Sequence, residues 1–140
     1  MMLQQAIFWE FDGIRMVVAE TERGTQMVNS MGTGDSLVQY NGFGADVIRF
    51  PAGGGVANHT HDGDHILFCI AGEGYVVYEG KPHKLSPGVC YFVLGLADHA
   101  IKADSDLVLI AVGNKHYPVG SSKRMTPVPY HVATPAELRI

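Results

Sequence analysis

From Arg15 to Val112, short β-branched or aromatic runs alternate with Gly, Pro, Asn and Asp, the pattern of many short antiparallel strands. The alternation predicts strands over Ile14–Glu20, Thr25–Asn29, Leu37–Tyr40, Ala45–Phe50, Ile66–Ile70, Gly74–Tyr78, Val89–Val93, Ala100–Ala103 and Leu107–Val112. Strands at this spacing make an all-β sandwich or barrel. Ala71-Gly72-Glu73-Gly74 reads as a tight hairpin, since both glycines can take positive φ, and Glu79-Gly80-Lys81-Pro82 reads as a second turn. Beyond Val112, Pro118, Pro127 and Pro129 exclude central strands and favour an extended, surface-wrapping tail over 113–140. Thr134, Pro135 and Glu137 form a capping box there, which predicts a short C-terminal helix.

Composition narrows the class. A chain of 140 residues is one domain, 1–140, and offers no linker at which to divide it. With 14 acidic against 10 basic residues it lacks the electrostatic footprint of a nucleic-acid partner. The longest apolar run, Ile66 to Ala71, is too short to cross a membrane, and the N-terminus has no export signal, so a soluble cytoplasmic protein is expected. Cys69 and Cys90 each sit in an apolar run and read as reduced, buried hydrophobes; they form no CxxC pair.

The chemistry concentrates in Asn58-His59-Thr60-His61-Asp62-Gly63-Asp64-His65. In an extended backbone His59 and His61 point to the same side, roughly 6.6 Å apart. The Asp-Gly-Asp turn lets His65 enter from the next strand, and His99 follows a later strand and a turn containing Gly95. An isolated histidine in a β protein is ordinarily a surface or singly bonded residue. Three in seven positions, packed together without metal, would leave ring nitrogens short of partners at roughly 1–3 kcal/mol each. An ion bound by neutral imidazoles removes that cost.

Gly53-Gly54-Gly55-Val56-Ala57-Asn58-His59-Thr60-His61, followed by His65 and Gly72, resembles the first motif of the cupin superfamily, G(X)5HXH(X)3,4E(X)6G. The run from Pro87-Gly88 to Asp98-His99 resembles the second motif, which ends in the family's last metal-binding histidine. The resemblance implies a jelly-roll β-barrel (a double-stranded β-helix) with its motif-bearing core at about 45–112, and one divalent transition metal ion. Where the family's motif expects glutamate this chain has His65, so the implied ligands are His59, His61, His65 and His99. Four neutral ligands leave the ion its full +2 charge, a stronger Lewis acid toward an anionic oxygen. Imidazole ligands suit zinc first, with iron, nickel, copper or manganese as alternatives.

Such sites resemble those of zinc-dependent polyketide cyclases and of cupin dioxygenases. The function this implies is Lewis-acid catalysis, cyclase- or isomerase-like, on an oxygenated and apolar or aromatic small molecule. The alternatives are a dioxygenase using iron, nickel or copper, and a non-catalytic metal- or ligand-binding cupin. Phe8, Trp9 and Phe11 are either core or, by analogy with the N-terminal strands of many cupins, the contact of a homodimer.

Counting by two along the strands, Leu67 and Cys69 share the face of His65 and Ile101 that of His99, so these three either line a pocket above the ion or fill the barrel core. Asp62, Asp64 and Asp98 are read as turn residues before second partners of the histidines. The facing of Tyr40, Arg49, Tyr78 and Tyr91 is not fixed by parity. His83, His116 and His131 lie in polar or Pro-flanked stretches and read as surface residues. Asn58-His59-Thr60 matches a glycosylation acceptor, but this would need secretion and set a glycan against a ligand. No dinucleotide fingerprint, P-loop or nucleophile elbow is present.

Overall fold

The computed structural model describes residues 24–129. The strand expected over Ile14–Glu20, the aromatic cluster Phe8, Trp9 and Phe11, His131 and the C-terminal helix lie outside the described residues. Within them the chain is all β: β1 (Thr25–Gln26), β2 (Ser30–Met31), β3 (Thr33–Tyr40), β4 (Phe43–Phe50), β5 (Gly55–Thr60), β6 (His65–Ala71), β7 (Gly74–Tyr78), β8 (Lys81–Leu85), β9 (Cys90–Val93), β10 (His99–Ala103), β11 (Leu107–Gly113) and β12 (Thr126–Pro127). They form two antiparallel sheets, β1-β3-β4-β11-β6-β9 and β12-β5-β10-β7-β8, with β2 added on β5. Together these make the jelly-roll barrel.

Period-two alternation decides what fills it. Leu67 and Cys69 on β6, and Leu107, Leu109 and Ala111 on β11, are buried, while Ile66, Phe68 and Ile70 between them stay largely exposed. Val56 on β5, Val76 on β7 and Ile101 on β10 close the core from the second sheet. Each of the larger apolar side chains contributes about 1.5–3 kcal/mol on full burial.

Register positions the chemistry. Asp46, Ala111 and Leu67 stand in one row across β4, β11 and β6, and Gly44, Gly113 and His65 in the next. The two glycines leave room above that row. A Cβ at Gly44 would lie 2.3 Å from His116 Cδ2, and one at Gly113 would lie 2.7 Å from His65 Cβ. On the second sheet His59, His99 and Tyr78 align across β5, β10 and β7.

Several expectations are corrected. Ala71-Gly72-Glu73-Gly74 is no hairpin: β6 pairs with β9 and β11, β7 with β8 and β10, so the segment crosses between sheets, and of its glycines Gly72 alone has positive φ, at 84°. The second turn is tighter than expected. Glu79 and Gly80, both at positive φ, join β7 to β8 with Tyr78 opposite Lys81, and Pro82 is tolerated because β8 is an edge strand. β5 was not among the predicted strands; its apolar content is low because two of its six residues are Asn58 and His59. Cys90 is exposed, since it faces outward beside Phe68 in the β6–β9 register. The tail is more than a surface wrapping: it pairs with the edge of β5 through β12, and Val119 and Met125 are buried in the core.

Candidate metal centre

His59 and His61 flank Thr60 at the end of β5, His65 opens β6, and His99 opens β10. The four rings gather: centroids are 4.3 Å apart for His59 and His99, 4.8 Å for His61 and His99, 4.6 Å for His61 and His65, and 5.6 Å for His65 and His99. One ligand nitrogen from each of His59, His61 and His99 can be chosen so that all lie within 4.8 Å of one another.

Hydrogen bonds fix the tautomers. Nδ1 of His59 lies 2.7 Å from the Ala57 carbonyl oxygen, Nδ1 of His61 2.7 Å from that of Gly63, and Nδ1 of His99 2.8 Å from that of Ala97. A carbonyl only accepts, so each Nδ1 holds the proton, and each neutral ring keeps a lone pair on Nε2. Nε2 of His61 and Nε2 of His99 then face each other at 3.1 Å with no proton between them. Nε2 of His65 is buried with no hydrogen-bond partner.

Protonation does not resolve this. Burial, followed by the charge of His99, pushes the pKa of His59 down to about 3. Burial likewise takes His99 down to about 4, opposed by its bond to Ala97. His61 is lowered mainly by burial, and His65 falls well below the ordinary range by burial and then by the charges of the other three rings. The cluster is therefore held neutral; His59, His61 and His99 form a group of nitrogen acceptors close enough to share one ion, and His65, whose ring packs against those of His61 and His99, is not part of that group. That donor set fits a divalent transition metal, which binds imidazole nitrogen at about 2.0–2.1 Å.

The rings line a cavity of about 40 Å³, room for a few water-sized groups. Leu67 and Ile101 line it; Cys69 is buried in the core one repeat farther along and does not. The lining also includes Lys115, His116, Tyr117 and Arg124, none of them expected there from the sequence. His116, expected at the surface, has its side chain only 6% exposed. Its Nε2 donates to Oδ2 of Asp46 at 2.6 Å, and Arg124 Nη1 donates to the same oxygen at 2.8 Å. His116 is drawn inward because Asp46, 1% exposed, is a carboxylate on the inner face of β4 that needs donors. The signal in the sequence was that lone Asp in the apolar strand Ala45–Phe50.

Of the remaining candidates only Asp64 lines the cavity; the others have structural roles or lie at the surface. Asp64 Oδ1 accepts from the Gly95 amide, and Asp98 Oδ2 accepts from Asn58 Nδ2, while Asp62 is exposed. Asn58 is 2% exposed, which removes it as a glycan acceptor. Arg49 pairs with Asp35, the Tyr91 hydroxyl donates to the Lys84 carbonyl, and Tyr40 is exposed. None of Tyr40, Arg49, Tyr78 and Tyr91 lines the cavity. His83 is exposed, as expected.

A two-sheet jelly roll with converging histidines in its mouth defines a cupin-type barrel. Residues 46–113 match the family model of the cupin domain, and the chain belongs to the cupin superfamily. No curated protein matches it in sequence. Among solved structures it is similar to an RmlC-like cupin from Shewanella frigidimarina (20% identity, TM-score 0.61, covering 69% of this chain and 88% of that one). It is also similar to a predicted oxalate decarboxylase from Thermotoga maritima (23%, TM-score 0.55, 59% and 79%). A third is a salicylate 1,2-dioxygenase from Pseudaminobacter salicylatoxidans (19%, TM-score 0.59, 64% of this chain and 28% of the enzyme's). At these identities the likeness is one of fold. No helix among the described residues is long and apolar enough to cross a membrane.

Proposed function

We propose that this chain is a metal-dependent enzyme acting on a small oxygenated organic substrate, with His59, His61, His65 and His99 as the ligands of one divalent transition metal ion, zinc first. The observation that carries the reading is the 3.1 Å approach of Nε2 of His61 to Nε2 of His99, with no proton for either, beside the buried and unpartnered Nε2 of His65. Such an ion, when bound, supplies Lewis acidity toward a substrate oxygen. The chain's own residues do the rest. The backbone carbonyls of Ala57, Gly63 and Ala97 hold three rings in the binding tautomer. Leu67 and Ile101 give the cavity an apolar side, and its volume of about 40 Å³ admits the oxygenated end of a small molecule, not a bulky body. Developing negative charge on a substrate oxygen suits a cyclisation or isomerisation.

A dioxygenase is the second reading, supported by the barrel shared with the salicylate 1,2-dioxygenase; iron content and oxygen uptake on turnover separate it from the first. A non-catalytic binding protein requires the ion to be closed by its four protein ligands. Cobalt substitution tests this. In an open site azide shifts the visible spectrum of the cobalt protein, as the enzyme readings require; a spectrum indifferent to azide leaves only the binding protein.

A further inference from the structure

The cavity lined by the histidines also takes Arg124 into its lining, a cation whose charge is paired but whose guanidinium is only partly bonded. Arg124 Nη1 donates to Asp46 Oδ2 and to the Tyr117 carbonyl, each at 2.8 Å. Its approach to His116 Nε2, at 3.5 Å, adds no bond, because that nitrogen gives its proton to Asp46 and has no lone pair left. Both hydrogens of Nη1 thus have acceptors. A guanidinium has five N–H groups in a fixed fork, and the three on Nε and Nη2 find no acceptor among the described residues, although the side chain is only 10% exposed. These donors are not fully buried, since among the described residues only Asn58 Oδ1 and His65 Nε2 are buried without a partner, so they stay open to a ligand's acceptor oxygens.

Arg124 lines the same cavity as the four rings. Its charge is felt there, depressing the proton affinity of His59, His61 and His65. In charge, Arg124 is balanced by Asp46, and Lys115 by Asp64, which lines the cavity with it, so an ion on neutral imidazoles would bring a net positive charge of its own. The complementary ligand is an anion whose oxygens match a guanidinium edge, and the volume suits a carboxylate-sized head.

We propose that Arg124 recognises the ligand of this cavity, a small organic anion of the carboxylate or enolate class, through its Nε and Nη2 edge, with Asp46 and the Tyr117 carbonyl as the positioning groups that hold the guanidinium in place. The inference rests on the metal reading for the ligand's other end, which lies toward the histidines. Lysine at this position keeps the charge and loses the fork.

The test is titration of the cobalt-loaded protein with acetate and, as a neutral probe of the same ion, with imidazole, followed in the visible spectrum. Arg124→Gln is expected to weaken acetate by about tenfold or more while leaving imidazole within about twofold, with Arg124→Lys between Gln and the wild type. Acetate affinity unchanged in both variants overturns the proposal. So does an equal loss for both probes, which would make Arg124 a fastening of the tail, or a wild-type spectrum that acetate does not alter. If Arg124→Gln does not fold, the same comparison is made with Arg124→Lys. Failure of the metal reading is seen separately, as no cobalt spectrum at all. The Arg124 Nε–Hε resonance of the ion-free protein then decides: a shift on adding acetate supports the assignment, and no shift overturns it.

Discussion

Nε2 of His61 and Nε2 of His99 stand 3.1 Å apart while each ring gives its Nδ1 proton to a backbone carbonyl. Two lone pairs at that distance repel. Moving a proton between them leaves one Nδ1 lone pair against a carbonyl oxygen, and charging a ring opposes the burial that depresses both pKa values. A bound cation satisfies both rings at once.

The ion-free protein is therefore expected to be acid-sensitive. His59 and His99 titrate near 6.5 when unfolded, but at about 3 and about 4 when folded. Above pH 6.5 neither state binds the protons. As pH falls from there toward 4, the unfolded chain takes them up and the folded chain does not, so stability declines by up to about 1.4 kcal/mol per pH unit for each ring. Urea unfolding of chelated protein at pH 7 and pH 5 measures this, and equal stability at the two would contradict the buried, neutral cluster. Metal occupancy should decline over the same range, because protons compete for the same nitrogens.

His65→Glu tests the charge of the site. The carboxylate should preserve a bound cobalt ion at about one equivalent but lower its local charge from +2 to +1. Azide affinity should then drop on the order of tenfold, about 1.4 kcal/mol. An ion retained with unchanged azide affinity would count against His65 as a ligand.

Asp46→Ala removes the acceptor of two buried donors. His116 and Arg124 would keep their burial and lose their shared oxygen, and breaking such a pair from one side costs roughly 3–5 kcal/mol. A chemical denaturation midpoint that does not move would show that the tail is fastened elsewhere.

Gly44→Ala presses on the same His116. The new Cβ would lie 2.3 Å from His116 Cδ2, and His116 cannot swing away without giving up its bond to Asp46. A cost of about 1–3 kcal/mol is expected, along with a changed His116 imidazole resonance; wild-type stability with an unmoved resonance would contradict this packing.

Much of the fold could be read from alternation alone, because strands such as His65–Ala71 and Leu107–Gly113 bury every second residue. The nearness of His59, His61 and His65 was legible because the i, i+2 spacing and the turn after His61 are local features, while His99 was joined to them only by the resemblance to the second cupin motif. What escaped needed long-range information. His116 looked polar and peripheral until Asp46, 70 residues away, gave it a buried acceptor. Arg124 reaches the cavity because the tail packs Met125 into the core beside it. The Gly72 segment was misread because local glycines signal a turn without saying which sheet the next strand joins.

If four imidazoles meet around one cation, elemental analysis of protein produced in metal-replete medium finds about one equivalent of a single transition metal per chain, released by chelation and greatly reduced in a His59→Ala, His99→Ala double variant. Less than about a tenth of an equivalent of any transition metal in the wild type, under conditions where imidazole ligands are deprotonated, would contradict that arrangement.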